Sequence, residues 1–107
     1  MYIYNVTANV EESIHNDWLK WMKEVHIPDV MATKMFLSNS MFEVLVDHDQ
    51  GHTYSIQYGF KDMETLKLYQ QVFAPKLQAE HKERYGSQVV AFRTLLRREH
   101  EFEGDSN

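Results

Sequence analysis

The chain has 107 residues, no cysteine, four glycines and two prolines, with 43% hydrophobic and 13% aromatic content. That is one domain with enough apolar material for a core, which excludes a disordered or collagen-like chain and leaves no disulfide or thiol chemistry. Of the formal charge of -5, Glu99, Glu101, Glu103 and Asp105 supply four negatives, so residues 1–98 are near balance and offer no basic surface for nucleic acid.

Tyr2, Tyr4, Val6, Ala8 and Val10 alternate with Ile3, Asn5, Thr7 and Asn9, the period of a strand with one more apolar face. Its opening, MYIYNVTANVEES, lacks the basic and apolar pattern of an export signal. No apolar run approaches the ~20 residues of a membrane-spanning helix, so a cytoplasmic protein without a membrane partner is expected. Ser13 is a candidate cap for an amphipathic helix in which Ile14, Trp18, Trp21, Met22 and Val25 recur at helical spacing. Pro28 lacks an amide hydrogen and is expected to interrupt it, with a short restart from Asp29 to Ala32.

Met35 to Val46 reads as a second strand with a bend at Ser38-Asn39-Ser40, and Asp47 to Gly51 as a hairpin loop. The clearest strand follows, with Tyr54, Ile56, Tyr58 and Phe60 on one side and Thr53, Ser55, Gln57 and Gly59 on the other. Asp62 is a cap for a helix through Tyr85, Gly86 terminates it, and Pro75 predicts a kink or split inside. Val89 to Leu96 returns to strand character. The order βαββαβ is that of a ferredoxin-like α+β domain, with two helices on one face of a four-stranded antiparallel sheet. Residues 1–98 form this domain and 99–107 an acidic, solvated, disordered tail. The second sheet face is left uncovered, and a small domain can shield such a face by packing it against a second copy. A homodimer through the open sheet face is therefore expected, in preference to a monomer with a solvated sheet.

From MYIYNVT through WLKWMKEVHIP to TYSIQY and VAFRTLL, residues 1 to about 98 resemble a family of short bacterial proteins classed as a domain of unknown function. Trp18 to Pro28, Tyr54 to Tyr58 and Ala91 to Leu96 carry the resemblance in combination. It implies a ferredoxin-like dimeric α/β barrel and no established activity. The broad architecture includes cofactor-independent monooxygenases, small-molecule isomerases and non-catalytic proteins, so fold analogy alone assigns nothing.

Candidate site residues rest on chemistry. His26, ahead of Pro28-Asp29, and His81, near the end of the second helix, can meet if the helices pack side by side. Imidazole transfers protons near neutral pH, and Asp29 can fix a tautomer. Trp21, Gln57, Tyr58 and Arg93 are ligand-binding candidates: aromatic surface for a flat molecule, an amide to orient it, and a guanidinium. Arg93 is read as lying on the second side of the last strand, there to pair with Glu43 or bind a carboxylate. Asp47, His48, Asp49 and His52 carry metal-competent atoms, but a polar exposed hairpin explains them, and neither a metal nor a cofactor is expected. Phosphate loops, nucleophile elbows and calcium loops are missing from the sequence.

The leading expectation is a non-catalytic dimeric domain that binds a small organic ligand or another protein. The alternative is a metal-independent enzyme on a small aromatic or enolisable compound, with His26 or His81 moving a proton beside Tyr58 and Gln57. That alternative requires a water-accessible cavity holding a histidine and at least two convergent polar groups; a dry interior removes it.

Overall fold

A computed structural model describes residues 1–46 and 50–105. Strands β1 (Tyr2–Val10), β2 (Ser38–Val44), β3 (His52–Phe60) and β4 (Val89–Arg97) form one antiparallel sheet in the order β2-β3-β1-β4. The register sets Tyr4 opposite Tyr58, Val6 opposite Ile56 and Arg93, and Ala8 opposite Tyr54 and Ala91. Because strand side chains alternate, these residues share the face that the helices cover.

The sheet is open. β2 and β4 are free edges, so the strands do not close into the α/β barrel that the resemblance implied; closure would pair the two outer strands. The ferredoxin-like order itself stands.

Two helical arms lie on the sheet. The first runs through α1 (His15–Trp21), a π-helical turn (Met22–His26) and α2 (Ile27–Ala32); the second through α3 (Met63–Leu68), a π-helical turn (Tyr69–Phe73) and α4 (Ala74–Tyr85). Neither proline ends its arm. Pro28 and Pro75 each follow a π turn that contains the residue four before it, Glu24 or Gln71. A proline ring collides with that carbonyl in a regular α-helix, and the wider π turn moves it aside.

Other expectations shift in detail. Ser13 makes no capping bond, since a 3-10 turn at Glu12–Ile14 leads into α1 instead. Ser38-Asn39-Ser40 continues as strand, and the hairpin read at Asp47 to Gly51 falls largely outside the described residues. Asp62 does cap α3, its carboxylate accepting from the Thr65 amide at 2.8 Å. Gly86 ends α4 with φ of 56°, a conformation that side-chain-bearing residues rarely adopt.

The core lies between arms and sheet. Trp18, Phe60, Ile56, Leu66, Val10 and Val30 are its largest fully buried side chains, each worth about 1.5–3 kcal/mol in burial for the aliphatic and phenyl members. Tyr85 donates to Asp17 at 2.8 Å and ties the end of α4 to α1. Past β4 the chain has no regular structure through residue 105, and Glu99 and Glu101 turn back to pair with Arg97 and Arg98. Among the described residues no helix is long and apolar enough to cross a membrane.

Candidate functional site

The π turns shape what lies beneath them. Met22 and His26 come from the first turn and Tyr69 from the second, and all three line a cavity of about 70 Å3 between the arms and the sheet. That volume accommodates several waters or a small organic molecule. α4 contributes Gln78 and His81, β1 Tyr4, β3 Tyr58 and β4 Arg93, over apolar walls that include Trp18, Val30 and Ile56.

His26 and His81 do meet, their ring centroids 5.7 Å apart. The Trp18 indole N–H donates to His81 Nε2 at 3.0 Å. An indole can only donate, so that nitrogen must be the acceptor and His81 is neutral with its hydrogen on Nδ1. His26 Nδ1 is buried with no hydrogen-bond partner among the described residues.

The electrostatics run one way. Burial, then the nearby His81 and Arg93, holds His26 down to about 4. His81 is lowered by burial and secondarily by Arg93. Burial raises Tyr4, against the opposing charge and hydrogen bond of Arg93 and the hydrogen bond of Gln78. Tyr69 is pushed up to about 12, chiefly by burial, and Tyr58 is raised further, by burial and then by Tyr69 and Tyr4. At neutral pH the lining therefore holds neutral imidazoles, un-ionised phenols and one cation, Arg93.

Not every sequence candidate belongs to this cavity. Tyr58 does, nearly fully buried, and so does Arg93. Arg93 lies on the same side of β4 as Ala91, two residues away, so the second-side reading is corrected by strand alternation. Its expected partner Glu43 sits on β2 at the opposite edge and bonds His52 instead. Trp21 lies outside the lining but stacks on His26 at 5.0 Å and meets His81 at 5.7 Å, with the Arg84 guanidinium 5.5 Å from its ring centre. Gln57 points to the other sheet face, where its amide donates to Ser55 at 3.3 Å. The cavity amide is Gln78, one turn before His81; Tyr69, one of the aromatics read as pocket surface, joins the lining, and Tyr4 is the hydroxyl that the sequence reading missed. Spacing offered a signal, since Gln78 and His81 stand three apart on one helix and share a face.

The open face has its own pattern. Ser55 donates to Asn5 at 2.6 Å, Asn5 donates to Thr7 and Thr94 at 3.1 Å each, and Asn9 donates to Thr53 at 3.1 Å. This polar network runs down the middle strands. Apolar Phe42 and Val44 on β2 and Val90, Phe92 and Leu96 on β4 flank it, all exposed.

A second histidine pair lies elsewhere. His15 and His52 stack face to face with centroids 3.6 Å apart, while His52 bonds both Glu12 and Glu43 and His15 bonds the Tyr54 hydroxyl at 2.6 Å. The Glu12 hydrogen bond raises His52, with Glu43 adding to it against a smaller burial effect. Ligand atoms of His15, Glu43 and His52 lie within 4.8 Å of one another, as a metal would require. Yet an ion bound by imidazole sits in the ring plane, and two parallel stacked rings cannot both aim at one ion without separating. The arrangement is that of a protonated imidazole clamped by two carboxylates. Asp47, His48 and Asp49 lie outside the described residues.

One family description, the domain of unknown function DUF4286, matches residues 1–99. Comparison with curated proteins gives no match. Among solved structures the chain is similar to an ethyl tert-butyl ether D (EthD) family protein from Bacillus halodurans, at 8% identity and TM-score 0.68, covering 92% of this chain and 99% of that one. It is also similar to two dimeric ferredoxin-like proteins from an uncultured marine organism. One shows 15% identity, TM-score 0.68 and coverage of 96% and 98%; the other 13%, 0.60, 94% and 97%. At such identities the likeness shows the ferredoxin-like fold and nothing further.

Proposed function

We propose, for a chain that belongs to the family described as Domain of unknown function (DUF4286), that it is a small-molecule-binding protein. The ligand occupies the cavity between helices and sheet, and the protein works as a homodimer joined through its open sheet face. The observation that carries the binding role is a cavity on which imidazole, hydroxyl, amide and guanidinium groups converge from both arms and the sheet. Binding is favoured over proton transfer because the histidines are poor bases: one acceptor nitrogen is taken by Trp18, and His26, held down to about 4, lies well below the working range of a base at pH 7. A cytoplasmic setting accords with a chain that has no cysteine.

The pairing half of the proposal is supported by the exposed Phe42, Val90, Phe92 and Leu96 around the polar network, and by the dimeric ferredoxin-like proteins of similar fold. Sedimentation at micromolar concentration should give a dimer that Phe92→Asp converts to monomer; a monomeric wild type removes this half.

For the cavity, ligand-observed NMR against a library of small organic molecules should find binders that lose their signal with Ala91→Phe. Ala91 lines the cavity on the edge strand, where a larger side chain fills the mouth without entering the closed core. Ligands that bind the variant unchanged would place binding elsewhere. Turnover of an enolisable binder, lost in His26→Phe, would restore the enzyme reading.

A further inference from the structure

Arg93 differs from the other arginines of the chain. Arg84 pairs with Asp17, Arg97 with Glu99 and Arg98 with Glu101, whereas Arg93 forms no ion pair among the described residues. Its neighbours are the Tyr4 hydroxyl, which Gln78 also approaches, and the rings of His26, His81 and Tyr69. Among the described residues no Asp or Glu lines the cavity. A guanidinium without a counter-charge, set beside hydroxyls and an amide on the wall of a cavity, is a receptor for an anion.

Shape and charge narrow the anion. The guanidinium fork matches a planar carboxylate with two parallel hydrogen bonds, and one cation suits one negative charge better than a phosphate dianion. Behind this polar end the cavity is walled by Met22, Val30, Ile56 and Leu77, which exclude a second charged group because nothing there would solvate it.

We infer that the cavity selects small organic monocarboxylates, with the carboxylate held by Arg93 and Tyr4 and a short apolar tail against Met22, Val30 and Ile56. This rests on the ligand-binding role proposed above and adds the chemical class. An amine would meet Arg93 as a like charge.

The test uses the full chain labelled with 15N, titrated at pH 7 with butyrate and benzoate, their amides, and butylamine. The histidine ring resonances report where each probe sits. Both acids should shift the His26 and His81 signals and bind at least about ten-fold more tightly than the amides, a difference of about 1.4 kcal/mol; butylamine should leave the rings unmoved. Arg93→Gln should erase the preference for acid over amide, and Arg93→Lys should restore part of it. Arg93 is solvent-exposed on an edge strand, so a thermal melt close to wild type confirms that each variant folds. Equal affinity for acids and amides at the same two rings overturns the carboxylate assignment and leaves a cavity that binds neutral molecules. Ring signals that respond to none of the probes overturn the assignment and the ligand-binding role together.

Discussion

Two pairs of histidines, built from the same side chain, are perturbed differently: both members of one are lowered, whereas the members of the other are split, His15 lowered and His52 raised. His26 and His81 lie beneath the helical arms beside Arg93, with no carboxylate among the described lining residues, and both are held below the ordinary imidazole value. His15 opens the first arm and stacks on His52 of β3, where Glu12 and Glu43 raise His52 while burial and then His52 lower His15. Burial and the sign of the nearest fixed charge decide the difference. The inner pair behaves as neutral hydrogen-bonding groups, and in the outer pair His52 alone is drawn toward its charged form by two carboxylates.

Removing the tether of the inner pair has the largest expected effect. Trp18 is fully buried and its indole fixes the His81 tautomer, so Trp18→Ala should cost about 3–5 kcal/mol in urea unfolding. Trp18→Phe keeps a ring but removes the donor, and His81 should then titrate at a higher pH by NMR. An unchanged His81 would mean that the indole bond does not hold it neutral.

Acid should separate the pairs next. For His26 the folded value is about 4 against an unfolded value of 6.5. Its stabilising contribution is complete above the unfolded value and falls as pH drops through 6.5 toward 4, because the unfolded chain takes up the proton first. Between pH 7 and pH 5 this amounts to about 2 kcal/mol of lost stability, which His26→Phe should abolish. A wild-type urea midpoint that stays flat over that interval would contradict the burial of His26.

His52 supplies the smallest effect, of opposite sign. Its folded value is raised, so its contribution is complete below the unfolded value of 6.5 and disappears as pH rises through the folded one. Glu12→Gln should lower the His52 titration midpoint and leave His26 where it was. A shift at His26 would show that the two pairs are electrically connected.

Much of this architecture was legible in the sequence. The alternation of Tyr54, Ile56, Tyr58 and Phe60 gave β3 and its buried face, and Asp62 and Gly86 marked the ends of the second arm. Pairing of His26 with His81 followed from expecting the helices side by side. What escaped was rotational phase. A π turn adds a residue to one winding, so the inward positions of the first arm run Trp18, Met22, His26, Val30 at intervals of four. A regular helix places Trp21 and Val25 on that stripe, yet Val25 is exposed and Trp21 lies beside the cavity. The second arm repeats the pattern with Tyr69, Phe73, Leu77 and His81, and Gln78, beside that stripe, went unread. Proline marked both places, but its cost can be met by a break or by a wider turn, and local sequence does not distinguish the two. Alternation likewise divides Gln57 from Tyr58 without saying which face the helices cover. Nor does a count of strands say whether a sheet closes.

An open sheet leaves unpaired backbone along β2 and β4, and the β4 edge also exposes Val90 and Phe92. Such an edge is a template on which another chain can grow as an added strand. The end of β4 is closed to that growth by charge: Arg97 and Arg98 are held by Glu99 and Glu101 in the segment that follows the strand. An incoming strand would have to strip those paired charges from water before its own amides found partners. Paired charge at the end of an edge strand has the pattern of a gatekeeper against edge-to-edge aggregation, a use for charge that neither the fold nor the cavity requires.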